Sequence, residues 1–245
     1  MKKLLKDKKN VVIALLSVLF ITILPQEGLR FLLWVLAGLV SASLADYWLS
    51  KLIFRRTIVP KSAIITGFIV SGLLDYHQPL YIAVIFSFLA VFSKYVLRFR
   101  KKHIFNPAVF ALFLAVLFRL PLTWHIESNI FLIAVVGVYL AYTLKKIPHI
   151  LGFLIFFTAL FLVDKVKAFA ILSFFFLFVM LIEPKTSGYG LSRGFGFGGL
   201  AGIFAFLIFK FFPGRDFFVS ALFLANAFNP FLDRIKVRGG NWYAA

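Results

Sequence analysis

Cysteine is absent from this chain. That absence removes thiolate metal centres, iron–sulfur clusters and disulfides, so any redox chemistry must be carried by a cofactor that needs no cysteine. Acidic residues are scarce too, 9 against 27 Lys and Arg. The ionisable residues, among them Asp46, Lys94, Arg119, Asp164, Glu183, Lys210, Asp216 and Asp233, fall in loops or at the ends of apolar runs, with the interface within reach. A proton pump carries carboxylates or histidines inside the membrane, and this pattern argues against one. The four histidines, His77, His103, His125 and His149, also lie in loops or at helix starts, which disfavours paired haem ligation across a membrane interior. No cleavable leader is readable: Lys2, Lys3, Lys6, Lys8 and Lys9 precede an apolar run that reaches Pro25 without a small-x-small site. That run is expected to be the first transmembrane helix.

Apolar residues are abundant. A hydrophobic fraction of 62% and a mean hydropathy of +0.98 exceed the roughly 45–50% of a soluble domain and predict an integral membrane protein. Its 34 Phe mostly fall within the apolar runs, where they pack helices or face lipid. A net charge of +18 does not indicate nucleic acid, because a nucleic-acid binder gathers its basic residues on one soluble face. Here they occupy short loops between apolar runs, as the positive-inside rule describes.

Ten apolar segments are readable, roughly 11–24, 29–47, 61–74, 79–97, 107–118, 128–144, 148–163, 167–182, 195–211 and 216–232. With a cytoplasmic N-terminus, the inner connections hold most of the lysine and arginine. Only Arg30, Arg119, Lys165, Lys167, Lys210 and Arg215 fall outside. Adding or removing one span would destroy this asymmetry, so both termini are expected to be cytoplasmic, in the cell (inner) membrane. Five spans per half force any internal repeat to be inverted. Segments 3 and 5 would cover only about 21 and 18 Å at 1.5 Å per residue, short of a ~30 Å hydrocarbon core. Their counterparts, segments 8 and 10, are bounded by Pro184 and Pro230, and paired short or interrupted segments point to a midplane site. The expected fold is all-α, with two inverted five-helix repeats and short or broken helices at the centre. Its units are a basic N-terminus (1–10), two repeats (11–122 and 123–234) and a cytoplasmic tail (235–245).

Polar residues concentrate between Glu183 and Arg234, where broken backbone at membrane depth needs protein or a cavity around it. Asn106 before Pro107 reads either as a plain helix N-cap or as part of a short-helix N-terminus that faces an anion or a carbonyl-rich ring. Asn226 and Asn229 share a helix face and line a ligand site or bond a neighbouring helix. Gly194, Gly198 and Gly202 recur every fourth residue, as in close helix packing. Gly188 and Gly190 flank Tyr189 in a loop, where unusual backbone angles are expected.

The run Phe178-Val179-Met180-Leu181-Ile182-Glu183-Pro184-Lys185-Thr186-Ser187, the glycine-rich segment after it, and Phe223 to Asp233 with Asn226-Ala227-Phe228-Asn229-Pro230 resemble the C-terminal signature of the NqrB/RnfD family. In the first half, Thr66-Gly67, Lys94 and Ile104-Phe105-Asn106-Pro107-Ala108 are similar to that family's motifs. The resemblance implies the RnfD component of the Rnf electron transport complex or the NqrB component of the sodium-translocating NADH:quinone reductase. It also implies an inverted-repeat fold, and flavin or quinone binding in a membrane complex with other subunits. The cofactor-binding residues it implies are Thr66, Gly67, Phe105, Asn106, Glu183, Thr186, Asn226 and Asn229.

Glu183 stands where the family has aspartate. The family's Ser-Gly-Ala-Thr flavinylation motif is missing from Arg119 to Ser128, where Thr123 is the only threonine. A bound FMN or riboflavin is therefore expected to be non-covalent, or to belong to a partner. Two other readings of the same fold are a transporter or channel for a small flavin-like or urea-like solute, and a structural anchor for partner subunits.

Overall fold

The computed structural model describes residues 7–55, 59–99, 102–183, 186 and 190–232. Among these the fold is all-α, apart from a short antiparallel pairing of β1 (Arg98–Phe99) with β2 (Lys102–His103) and an isolated antiparallel bridge between Leu74 and Leu122. The helices are α1 (Lys8–Phe54), α2 (Lys61–Leu73), α3 (Leu80–Val96), α4 (Pro107–Leu117), α5 (Ile130–Thr143), α6 (Ile147–Val163), α7 (Leu191–Phe211) and α8 (Phe217–Leu232). A 3-10 turn (Ala168–Ala170) and a π-helical stretch (Phe176–Met180) lie between α6 and α7. Two of these runs, α1 and α7, are long and apolar enough to cross a membrane, and the other apolar helices are shorter.

α1 is two arms. Gly28 leaves the helical region at φ 77°, ψ −167°, three residues after Pro25. Residues 11 apart in a straight helix are separated by about 16 Å of rise, yet the Phe20 and Phe31 rings are 5.3 Å apart. Lys8 shares a cavity with Lys94, which pairs with Asp46 of the second arm. The chain therefore reverses at Gly28, and each of the ten apolar segments falls on its own helical stretch. The eighth is the most broken, since only residues 174–180 of it are regularly helical. One boundary differs clearly from expectation, since the second arm continues past residue 47 to Phe54, whereas α8 ends at Leu232 as expected and carries Pro230 inside its last turn.

Connections at alternate ends of the bundle touch one another. At one end Asp7 pairs with Lys61 at 2.6 Å, and His103 approaches Glu183. At the other, Glu27 faces His125 at 3.2 Å, Arg30 donates to the His77 carbonyl at 2.7 Å, and Trp124 donates to Asp216 at 2.7 Å. Helix pairings recur in the two halves: the second arm of α1 packs on α3 and α3 on α4, as α6 packs on α7 and α7 on α8, while α4 meets α8.

The α6/α7 contact explains the glycine spacing. A Cβ on Gly198 would stand 1.9 Å from the His149 carbonyl oxygen, and one on Gly202 would stand 3.0 Å from the Phe153 carbonyl oxygen. Only a residue without a side chain lets the two backbones approach this closely. Facing outward, α1 carries Leu29, Leu33, Leu36, Val40 and Leu44, and α3 carries Tyr81, Ile85, Phe88 and Phe92, all exposed. Continuous apolar stripes of this kind are foreign to a monomer in water.

Candidate functional sites at the two ends of the bundle

Two cavities occupy opposite ends of the bundle. The smaller one, called inner after the expected orientation, is about 190 Å³ and lies among the first turns of α1, α2 and α4, the last turns of α3 and α5, and residues 178–183. Of the site residues expected from sequence, Thr66, Asn106 and Glu183 line it, together with Lys94 and His103. Asn106 caps α4: its Oδ1 accepts from the N–H groups of Ala108 at 3.0 Å and Val109 at 3.3 Å, and its carbonyl accepts from Phe110. Pro107 has no N–H, so every amide of this first turn is accounted for. The capping reading is the one the geometry supports, and no free amides remain there for an anion.

The other expected site residues are distributed around this cavity. The Thr186 hydroxyl donates to Glu183 at 2.5 Å, and Asn229 donates to the Thr186 carbonyl at 2.7 Å. Asn229 thus ties α8 to the segment after Glu183 and does not line the cavity. Gly67 faces the α1 backbone, where its added Cβ would stand 3.1 Å from the Gly38 carbonyl oxygen. Phe105 stacks on Phe223, ring centroids 4.4 Å apart. Asn226 is fully buried with neither side-chain polar atom hydrogen-bonded, and Pro230 has no N–H to offer its carbonyl four residues back. Gly190 has the expected positive φ of 100°. Pro184, Lys185, Ser187, Gly188, Tyr189 and the tail from Asp233 lie outside the described residues.

From sequence, Asp46 and Lys94 are expected within reach of the interface. Asp46 is 5% exposed, two turns before the end of a helix that runs on to Phe54. The Lys94 ammonium pairs with Asp46 and donates to the Ser62 hydroxyl at 3.3 Å, while the Tyr95 hydroxyl donates to Asp46 at 2.6 Å. Nearby, at the start of α1, the Lys61 hydrogen bond holds the Asp7 carboxyl below the usual carboxylate range.

The outer cavity is larger, about 1170 Å³, and is lined by residues 116–130, 170–173 and 213–218 at the opposite end. Arg119 and Arg215 stand on its wall, and Trp124 and Glu127 project from the loop between α4 and α5. Asp216 fixes the Trp124 indole and also caps α8, accepting from the Val219 N–H at 2.7 Å. Glu127 accepts from the Ser173 hydroxyl at 2.7 Å and the Phe174 N–H at 2.6 Å, holding the start of the 174–180 helical stretch of the eighth segment. Arg215 also donates to the Val116 carbonyl. At the same end, burial works against ionised Asp75, but the His77 backbone and ring bonds outweigh it and keep that carboxyl below its usual range.

The sequence pattern does not single out these outer residues as a site, yet it carries a signal. Arg119 and Arg215 are among the few basic residues that break the charge bias toward inner loops, and an exception to that bias asks for a local reason. No protein-family model matches this chain, and no match was found among curated proteins.

Proposed function

We propose that the chain is an integral membrane subunit of an electron-transfer complex of the NqrB/RnfD kind, holding a flavin non-covalently in the outer cavity. The observation that carries this reading is the outer cavity itself. At about 1170 Å³ it somewhat exceeds the ~300–1,000 Å³ usual for drug-sized ligands, with room for a flavin. It is built on the connection between segments 5 and 6, where the resembling family attaches its flavin. Its side chains suit the group. Arg119 and Arg215 offer guanidinium forks for a phosphate, and the Trp124 indole, anchored by Asp216, offers a fixed aromatic face. A flavin bound there supplies one- or two-electron transfer, toward a quinone or another protein of the complex.

Ten spans with both termini cytoplasmic are supported by the reversal at Gly28, the outward apolar stripes and the segregation of loop contacts to two ends. The inverted repeat is supported by the cavities. The inner one is lined by the starting turns of segments 1, 3 and 5, and the outer one by the corresponding starts of segments 6, 8 and 10. A second reading, a solute transporter, is favoured by one observation, that the two cavities open at opposite ends of one bundle.

Flavin retention by the purified protein tests the proposal. Arg119→Gln, at an exposed position, is expected to weaken FMN binding by about tenfold or more through loss of a charge-assisted contact, while riboflavin, which lacks the phosphate, is affected little. Equal loss of both flavins, or of neither, refutes the placement.

A further inference from the structure

We propose that the inner cavity is a binding site for the headgroup of an anionic acyl-chain amphiphile, a carboxylate or a phosphate, independent of the flavin reading. The inventory of donors and acceptors around it points this way. Lys8, Lys9, Lys94 and His103 line the cavity, and Glu183 is the one carboxylate among its described lining residues. Glu183 already accepts from Thr186. The Thr66 hydroxyl is committed to the Ser62 carbonyl at 2.9 Å, and the Asn106 oxygen to the α4 amides. Of the three Lys94 ammonium donors, Asp46 and Ser62 take two, which leaves one.

His103 is the independent observation. Its side chain is 10% exposed, and its Nε2 is buried with no hydrogen-bond partner. Glu183 Oε1 is the carboxylate oxygen facing it, at 3.6 Å, beyond hydrogen-bond reach. A buried imidazole nitrogen, protonated or in its Nε2–H tautomer, and a part-buried ammonium N–H on one cavity wall call for an acceptor-rich ligand. The rest of the wall is apolar, formed by Ile65, Ile69, Leu140, Phe178 and Val179, and suits an alkyl chain. Loop lysines alone are explained by membrane orientation, but Lys94 and His103 are largely withdrawn from solvent, with side chains 19% and 10% exposed, so orientation does not account for them.

Four probes carry both features or only one: octanoate and octyl phosphate carry both, 1-octanol is the neutral chain, and inorganic phosphate is the chainless anion. Isothermal titration and thermal unfolding of the full chain in detergent are expected to show saturable binding and a raised Tm with one or both anionic amphiphiles, and neither effect with the two controls. Tighter octanoate binding identifies a fatty carboxylate, and tighter octyl phosphate binding a phospholipid-type headgroup. Lys9→Gln at the exposed mouth is expected to weaken binding several-fold, and Ile69→Trp to abolish it by filling the cavity. Val179→Phe serves the same purpose if the tryptophan variant does not fold. An equal response to 1-octanol, or undiminished binding in a folded cavity-filled variant, overturns the proposal.

Discussion

Removing either partner of the Asp46–Lys94 pair is expected to destabilise the bundle far more than an ordinary surface ion pair would. The two side chains are 7% and 19% exposed, and the loss of one partner from a buried pair costs about 3–5 kcal/mol, against roughly 0.2–1 kcal/mol for an exposed pair. The two single variants differ in what they leave behind. Lys94→Met leaves Asp46 with the Tyr95 hydroxyl at 2.6 Å, so its cost belongs near ~3 kcal/mol. Asp46→Leu leaves the ammonium with the Ser62 hydroxyl at 3.3 Å and the Tyr95 ring face but no counter-charge, and its cost belongs near ~5 kcal/mol. The double variant removes both charges together, so its cost falls well below the sum, with a coupling of about 2 kcal/mol or more. Reversible denaturant unfolding in micelles gives all three values. Single-variant losses below about 1 kcal/mol would refute the burial argument.

Two further predictions rest on packing. Gly198→Ala drives a Cβ into the His149 carbonyl and is expected to cost about 1–3 kcal/mol, whereas Gly196→Ala, with open space around it, gains up to ~1 kcal/mol from helix propensity; unfolding midpoints of the two variants separate them. Asn226→Leu replaces a buried amide that has no partner and is expected to leave stability unchanged or raise it by about 1–3 kcal/mol. A clear drop in the Asn226→Leu midpoint would mean that the amide is satisfied in the membrane.

The helical segments were legible because apolar runs and the glycines and prolines between them are local features. The boundary that failed did so for a tertiary reason. The second arm of α1 runs past Asp46 because Lys94 and Tyr95 satisfy that carboxylate from another helix, which no local pattern reveals. The end of α8 was legible, and Pro230 is tolerated in its last turn while Asn229 is held through Thr186. Of the residues that the motifs singled out, Thr66, Asn106 and Glu183 line one cavity, while Gly67 packs on the α1 backbone and Phe105 on Phe223. The outer cavity was the least legible. It joins three loops distant in sequence, and only the misplaced charges of Arg119 and Arg215 hinted at it.

The most direct test of the central claim is the visible spectrum of the purified protein, with flavin assayed in the pellet and supernatant after acid precipitation. Non-covalent binding predicts a flavin spectrum whose chromophore moves wholly to the supernatant. A colourless, monodisperse preparation would contradict the claim and favour the transporter, and a chromophore retained in the pellet would contradict non-covalent binding.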